Sequence, residues 1–229
     1  MLQVHRCFER QVVQSPTAVA LEFGAERISY DALNVKANQV AHRLLKQGVS
    51  PGTFVGVCLD RSPDLIAALL GVLKAGAVYV PLDPEYPSER LAYMLEDSGV
   101  STLLVDEEAN KCLLEATLPS NTRIQLVGES FDGEATFNPE IALDDDALIY
   151  MIYTSGSTGK PKGSLVYHSG FSNLVNWYVD AFDMNEAARI LHMTSPAFDL
   201  TQKNVFGPLV SGGTLCLLDQ RFYDTTVII

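Results

Sequence analysis

Short apolar runs alternate with longer amphipathic segments over the first half of the chain. Runs such as Val19–Phe23 and Phe54–Leu59 have the length and composition of strands. Residues 33–44 place leucine, alanine and valine on one helical face, and residues 64–74 are apolar nearly all round, which predicts a buried helix. This alternation predicts an α/β domain with a mostly parallel sheet flanked by helices.

Capping and turn residues mark the boundaries of these elements. Ser62-Pro63 is a typical helix start, and Gly48, Gly76 and Gly99 are placed to end helices. The acidic, glycine-containing stretch 128–147 is interpreted as a solvated linker. The remaining predicted segments are helices at 4–13, 88–95 and 171–181, and strands at 28–30, 78–80, 102–105, 124–127, 148–152, 164–167 and 189–194.

Composition places the chain among acidic globular proteins. It has 229 residues, 47% of them hydrophobic, and 28 acidic against 16 basic residues give a formal charge of -12. This balance argues against nucleic acid as a partner, because phosphate backbones are bound by clustered lysine and arginine. The N-terminal segment lacks the apolar region of a signal peptide, and no apolar run is long enough to cross a membrane. We therefore expect a cytoplasmic protein.

Neither the cysteines nor the acidic residues predict a metal site. The four cysteines are far apart and form no CxxC pair, so we expect no zinc site and no disulfide framework. They are Cys7, Cys58, Cys112 and Cys216. A metal site at Asp144–Asp146 is the alternative to a solvated linker there, and the linker is favoured.

A loop rich in glycine and hydroxyl residues, YTSGSTGKPKG at 153–163, follows the apolar run Leu148–Ile152. Glycines let the backbone approach a ligand, inward N–H groups form an anion-binding concavity, and hydroxyls and lysines add donors and charge. The loop does not fit the Walker A pattern. Polyphosphate binding is favoured over a flexible turn with solvated lysines. The predicted binding residues are Thr154, Ser155, Gly156, Ser157, Thr158, Gly159, Lys160 and Lys162.

The string YTSGSTGKPKG also resembles the phosphate-binding signature of the adenylate-forming, AMP-binding enzymes. These include acyl-CoA ligases, luciferases and the adenylation domains of nonribosomal peptide synthetases. Two further segments, ISYDALNVKANQVAHRL at 28–44 and LKAGAVYVPLDPEYPSERLAYMLEDSG at 73–99, are similar to signatures of the peptide synthetase branch. Both consist of structural residues, with prolines that fix turns, so they indicate the family and do not carry its chemistry.

The resemblance implies a reaction, cofactors and partners. In the family an amino acid reacts with ATP to give aminoacyl-AMP and pyrophosphate, and Mg²⁺ shares the phosphate charge. The enzyme acts mainly by positioning the reactants and stabilising charge. The aminoacyl group then passes to the phosphopantetheine thiol of a carrier protein. ATP, Mg²⁺, an amino acid and a carrier protein are therefore the expected ligands and partners.

The pair Phe198-Asp199 resembles the F-D pair of the family, whose aspartate binds the substrate α-ammonium group. A charged amine removed from water needs a charged acceptor, and an acyl or aryl acid ligase has no amine to hold. The alternative role for Asp199 is a helix N-cap, and the two roles are compatible. By the same resemblance Leu200 and Lys203 line the side-chain pocket, where a lysine would pair with an acidic or polar substrate.

Two histidines are candidates for catalysis. The family has a histidine at the position of His168, near the nucleotide. The alternative is a histidine at a helix start that is satisfied by the backbone. For His5, near the N-terminus, a structural or exposed position is favoured over catalysis. Tyr167 stands where the family more often has threonine, and Thr201 stands where it usually has serine.

The resemblance extends over essentially the whole chain but only over the N-terminal part of the family's domain. The family's segments for adenine, magnesium and ribose, and its C-terminal domain with the catalytic lysine, find no match, and neither Lys160 nor Lys162 is assigned that role. The expected fold is thus an incomplete N-terminal subdomain.

Three hypotheses for function stay open. The chain is part of an amino-acid-activating domain, inactive or partner-dependent alone; or part of an acyl or aryl acid ligase; or a non-catalytic binding fragment or half-enzyme. A truncated sheet should expose apolar surface, which predicts self-association or a complementary chain.

Overall fold

The computed structural model describes residues 2–113, 118–120, 122–127, 131–144, 146–155 and 160–218. The helices are α1 (Val4–Gln14), α2 (Tyr30–Lys46), α3 (Pro63–Lys74), α4 (Ser88–Ser98), α5 (Glu107–Leu113), α6 (His168–Ala181) and α7 (Asp199–Ser211). The strands are β1 (Val19–Phe23), β2 (Glu26–Ser29), β3 (Phe54–Cys58), β4 (Val78–Leu82), β5 (Thr102–Val105), β6 (Arg123–Leu126), β7 (Leu148–Thr154), β8 (Lys162–Tyr167), β9 (Arg189–His192) and β10 (Thr214–Leu217).

The larger sheet of the described chain has six strands in the order β6-β5-β3-β4-β7-β8. Its first five strands run parallel, and β8 returns antiparallel to β7, with Thr154 opposite Lys162. Because the strands from β6 to β7 are parallel, their carboxyl ends meet at one edge, where ligands of α/β sheets bind. The loop predicted to bind phosphate leaves β7 at that edge.

A second sheet of four strands has the order β2-β1-β10-β9. The strand β1 pairs parallel with β10, and β10 pairs parallel with β9, while β2 is antiparallel to β1. Its strands come from both ends of the chain, so the N-terminal and C-terminal segments fold together. The two sheets confirm the predicted α/β class with mostly parallel strands.

Apolar side chains from the two faces of the larger sheet enter different cores. Along β7, Tyr150 and Ile152 pack with α1, α2, α3, α6 and α7, while Met151 and Tyr153 pack with α4 and α5. The helix α3 is buried along nearly its whole length, as its apolar sequence predicts. It ends before Gly76, whose positive φ of 76° favours glycine.

Several predicted boundaries differ from the structure. The helix α6 begins at His168 rather than near Phe171, and β9 ends at His192 rather than Thr194. The helix α5 was absent from the predicted elements, although Asp106 signals its start by accepting the N–H of Ala109 at 2.7 Å. Within the described ranges, none of the helices combines the length and apolar composition that a bilayer-spanning helix needs.

Candidate functional site

The described ends of the phosphate loop lie side by side. Thr154, the last residue of β7, pairs with Lys162, the first of β8, and Ser155 and Lys160 continue from them. All four side chains are exposed at this edge of the sheet. The stretch Gly156–Gly159, which holds the other predicted binding residues, lies outside the described residues.

Two tyrosines link the two ends of the loop to α4. The hydroxyl of buried Tyr153 donates to Asp97 at 2.7 Å and to the carbonyl of Met94 at 3.2 Å, which ties β7 to α4. On the other side, the Lys160 ammonium lies 5.5 Å from the ring centroid of Tyr93. Both contacts come from α4, so one helix supports the two ends of the loop. Hydroxyl donors on one end and cations on the other suit an anionic ligand.

Asp199 is the first residue of α7 rather than its N-cap. Phe198 occupies the cap position without a side-chain hydrogen bond, and Asp199 Oδ1 accepts the N–H of Leu200 at 2.7 Å. The sequence offered Asp199 as a helix N-cap, whereas in the structure the N-cap is the preceding residue, Phe198. A carboxylate in the first helical turn is still favourable, because it faces the positive end of the helix dipole.

Tyr150 lies on β7, the strand that leads to the phosphate loop. Burial raises the pKa of Tyr150 to about 12, and the negative charge of Asp199 adds to the increase. Tyr150 precedes Thr154 by four positions, which is about 13 Å along a strand. The first turns of α7 are joined to the larger sheet by the hydrogen bond from the Tyr79 hydroxyl on β4 to Gln202, and β4 pairs with β7 at Tyr79 and Tyr150.

Leu200 and Lys203 follow Asp199 in the first turns of α7. The Leu200 side chain is 62% exposed, and Lys203 is partly exposed. The Lys203 ammonium donates to Asn204 Oδ1 at 3.1 Å and lies 4.7 Å from the ring centroid of Tyr178 on α6. A positively charged group therefore stands one helical turn from Asp199.

Buried and partly buried groups that the sequence did not single out hold the segment before α7. Gln202 accepts a hydrogen bond from the Tyr79 hydroxyl at 2.6 Å, and Ser195 donates to Asp83. Tyr79 and Asp83 come from β4 and its carboxyl end. Nothing in the sequence shows whether a tyrosine or glutamine within an apolar pattern is structural or belongs to a binding site. These hydrogen bonds are therefore visible only in the folded chain.

His168 is buried and lacks hydrogen-bond partners within the described chain. It is 3% exposed, and neither ring nitrogen has a partner there. Its ring lies 5.7 Å from that of His5, and burial lowers its pKa to about 4. Within the described residues the backbone satisfies neither ring nitrogen, contrary to the alternative of a histidine satisfied by the backbone. As the first residue of α6, with its ring against His5 of α1, it is separated from solvent, and its role as a catalytic residue stays a prediction.

His5 is likewise buried, which agrees with a structural position. Burial, followed by the charges of His168, Arg6 and Lys74, lowers its pKa well below the ordinary value. Among the described residues, no three His, Cys, Asp or Glu side chains come together as metal ligands.

Comparison with known proteins identifies the family. Residues 8–228 match the family described as AMP-binding enzyme, and the chain belongs to it. It is 43% identical over 222 residues to a linear gramicidin synthase chain of Brevibacillus parabrevis, covering 96% of this chain and 4% of that protein. It is 39% identical over 209 residues to bacitracin synthase 3 of Bacillus licheniformis, covering 91% of this chain and 3% of that protein.

Solved structures agree with this assignment. A crystal structure of the nonribosomal peptide synthetase FmoA3 has a TM-score of 0.88 at 31% identity, covering 95% of this chain and 22% of that chain. Its AMPPNP-bound form has a TM-score of 0.88, also at 31% identity, covering 96% and 23% respectively. The resemblance to adenylation domains of nonribosomal peptide synthetases is confirmed. The chain spans only a small part of the length of these relatives, so their complete activities are not attributed to it.

Proposed function

We propose that residues 1–229 form the N-terminal portion of an adenylation domain that activates an amino acid with ATP for transfer to a carrier-protein thiol. The observation that carries this proposal is the place of Asp199 at the start of α7, a helix whose Gln202 is hydrogen-bonded to Tyr79 on β4, the strand paired with β7, which enters the phosphate loop. An anchor for an amine and a loop for phosphates are the two contacts that amino acid adenylation needs at one site.

The reaction joins the amino acid carboxylate to the α-phosphorus of ATP. A carboxylate oxygen forms the new P–O bond, the bond to the bridging oxygen breaks, and pyrophosphate leaves with the electron pair. The phosphate loop, Thr154 to Lys162, would hold the phosphates through hydroxyls, backbone N–H groups and the two lysines. Positive charge fixed in place before the reaction stabilises the charge that develops on the leaving group.

Asp199 would orient the amino acid by pairing with its α-ammonium group. An ion pair that carries hydrogen bonds is stronger than a neutral contact, and it fixes the carboxylate relative to the α-phosphorus. Leu200 and Lys203 would contact the substrate side chain. A cation at Lys203 favours a polar or acidic side chain over a basic one, because like charges repel.

ATP and Mg²⁺ are expected with this reaction. The AMPPNP-bound relative supports ATP as the nucleotide. Mg²⁺ typically binds through substrate phosphates and one or two carboxylates. No residue of this chain is assigned to Mg²⁺.

A second candidate is a fragment that acts with a complementary chain or a second copy. Large apolar side chains are exposed on α6 and just after it, with Trp177 57% and Phe182 63% exposed. Exposed apolar surface of this kind favours association. Light scattering at high concentration tests this candidate, and a strictly monomeric chain would contradict it.

Amino-acid-dependent exchange of pyrophosphate into ATP tests the proposed activity. The assay uses the purified chain and a full-length adenylation domain that contains this segment. We expect exchange to require the substrate amino group and to be lost in Asp199→Asn. Asp31→Asn is the control, because Asp31 also stands exposed in the first turn of a helix, α2. Exchange that des-amino acids support equally well would favour an acyl or aryl acid ligase.

A further inference from the structure

The segment between β9 and α7, residues 193–198, is held by side chains at several points. The Thr201 hydroxyl donates to the carbonyl of Ser195 at 2.7 Å. The Ser195 hydroxyl accepts the N–H of Ala197 at 3.2 Å and donates to Asp83. The segment directly precedes Asp199, so these contacts hold in place the residues that lead into α7.

Gln202 makes the most enclosed of these contacts. Its amide nitrogen donates to the carbonyl of Pro196 at 2.7 Å and to that of Phe198 at 3.3 Å. Its amide oxygen accepts from the Tyr79 hydroxyl at 2.6 Å. Gln202 and Tyr79 are both 0% exposed. The glutamine therefore connects the residue before Asp199 to the interior of the larger sheet.

The phenol of Tyr79 is a permanent donor. Burial, with the nearby Tyr150, raises its pKa well above the ordinary value, so it stays protonated at any working pH. Tyr79 lies on β4, in register with Tyr150 on β7. The hydrogen bonds from Tyr79 to Gln202 and from Gln202 to Phe198 thus join the start of α7 to β4, and β4 lies next to β7, which leads into the phosphate loop.

We propose that Tyr79 and Gln202 are positioning residues that hold Asp199 at a fixed place relative to the phosphate loop. The role rests on the proposed function, in which Asp199 binds the substrate amine. Neither residue touches the substrate in this arrangement. Tyr79 orients the Gln202 amide, and the amide fixes the two carbonyls that lead into α7. A displacement of about 1 Å at a reacting centre can cost on the order of 100-fold in rate.

The test is Tyr79→Phe, with Tyr30→Phe as the matched control. Tyr30 is also 0% exposed, and its hydroxyl donates to the carbonyls of Pro208 at 3.1 Å and Gly213 at 2.7 Å, at the other end of α7. Both variants delete one buried hydroxyl beside the same helix. Only the first leaves the Gln202 amide oxygen without its donor.

Hydrogen exchange of backbone amides at residues 197–201 is the first readout. We expect Tyr79→Phe to speed exchange there by about tenfold under native conditions, because local opening becomes easier. Tyr30→Phe should leave these amides within about twofold of the wild-type rate. Unchanged exchange in Tyr79→Phe would overturn the proposal.

Binding is the second readout, with the twenty proteinogenic L-amino acids and AMPPNP as separate probes. A positioning role predicts that Tyr79→Phe weakens amino acid binding about tenfold or more while AMPPNP affinity is unchanged. Faster exchange with unchanged amino acid affinity would overturn the role, because the pair would then be structural only. Binding is measured on a full-length adenylation domain that contains this segment. If no amino acid binds that wild-type domain, the proposed function fails, and hydrogen exchange alone decides whether the pair holds the first turn of α7.

Discussion

At the scale of single residues, burial separates ionisable groups that can meet a ligand from those that affect the stability of the fold. Asp199 and Lys203, which carry the proposed chemistry, reach solvent, whereas Glu9, Lys74 and His168 are enclosed. The sequence marks the first set through a resemblance to a family. It marks His168 in the same way but not Glu9 or Lys74, because a lysine in an apolar helix is not visibly paired with a glutamate on another helix until the chain is folded.

The buried pair of Glu9 and Lys74 should respond unequally to removal of either partner. Lys74 Nζ lies 2.6 Å from Glu9 Oε1, and Arg6 pairs with the same carboxylate at 2.9 Å. Glu9→Gln leaves a buried ammonium without a carboxylate, which should cost about 3–5 kcal/mol of unfolding free energy. Lys74→Met leaves Glu9 with Arg6 and should cost less, about 1–3 kcal/mol. Urea unfolding measures both, and an equal or reversed order would contradict the buried pairing.

Buried histidines should make the fold sensitive to acid. Burial lowers the pKa of His168 and of His192 to about 4, against an ordinary value of 6.5. Between these pH values the unfolded chain binds more protons than the folded chain, so stability falls as pH drops from 6.5 to 4. The loss should be on the order of 3 kcal/mol per histidine.

Urea unfolding at several pH values checks this expectation. His168→Phe keeps an aromatic ring and removes the titrating group, so its unfolding free energy should fall less steeply between pH 6.5 and pH 4. A wild-type slope in this variant would show that His168 is not protonated differently in the folded and unfolded states.

At the scale of elements, helix packing explains positions that have no chemistry. Gly71 on α3 faces α2, and a Cβ there would lie 2.6 Å from Val40 Cβ and 2.8 Å from the carbonyl of Ala37. The close approach of these helices depends on the absence of a side chain. The sequence shows only a glycine inside an apolar helix, which suggests a packing contact without naming the partner.

Substituting this glycine should therefore destabilise the fold. We expect Gly71→Ala to lower the unfolding free energy by about 1–3 kcal/mol, because α2 and α3 must separate. Gly170→Ala is the matched control, since Gly170 lies in α6 and an added Cβ would have no described neighbour within 4 Å. The control should be neutral or stabilising by up to about 1 kcal/mol, from higher helix propensity. Thermal unfolding of both variants measures the difference, and similar effects would contradict the packing role of Gly71.

Element type followed from the sequence more readily than element boundaries. Apolar alternation predicted β3, β4, β5 and β7 near their observed places, and Ser62-Pro63 marked the start of α3. The helix α5 was missed because its acidic, polar sequence has little apolar periodicity. The start of α6 at His168 was missed because Tyr167, at the cap position, makes no side-chain capping bond.

At the scale of the whole molecule, long-range pairing builds the site. The strand β10 joins β1, so the segment that carries Asp199 lies against elements from the N-terminal half. Periodicity predicts strands and helices but contains no information on which strands become neighbours. The resemblance to a family indicated Asp199 and the phosphate loop, and the fold adds the Tyr79–Gln202 hydrogen bond, which joins α7 to the strand beside β7.

Binding of a substrate amine by Asp199 is the step on which the proposed function depends. The most direct measurement is nuclear magnetic resonance titration of the Leu200 amide, whose N–H donates to Asp199 at 2.7 Å. We expect this amide to shift on addition of L-amino acids and not on addition of the matching des-amino carboxylic acids, and we expect Asp199→Asn to abolish the shift while Asp31→Asn keeps it. Equal shifts with both ligand sets, or shifts that persist in Asp199→Asn, would contradict the claim.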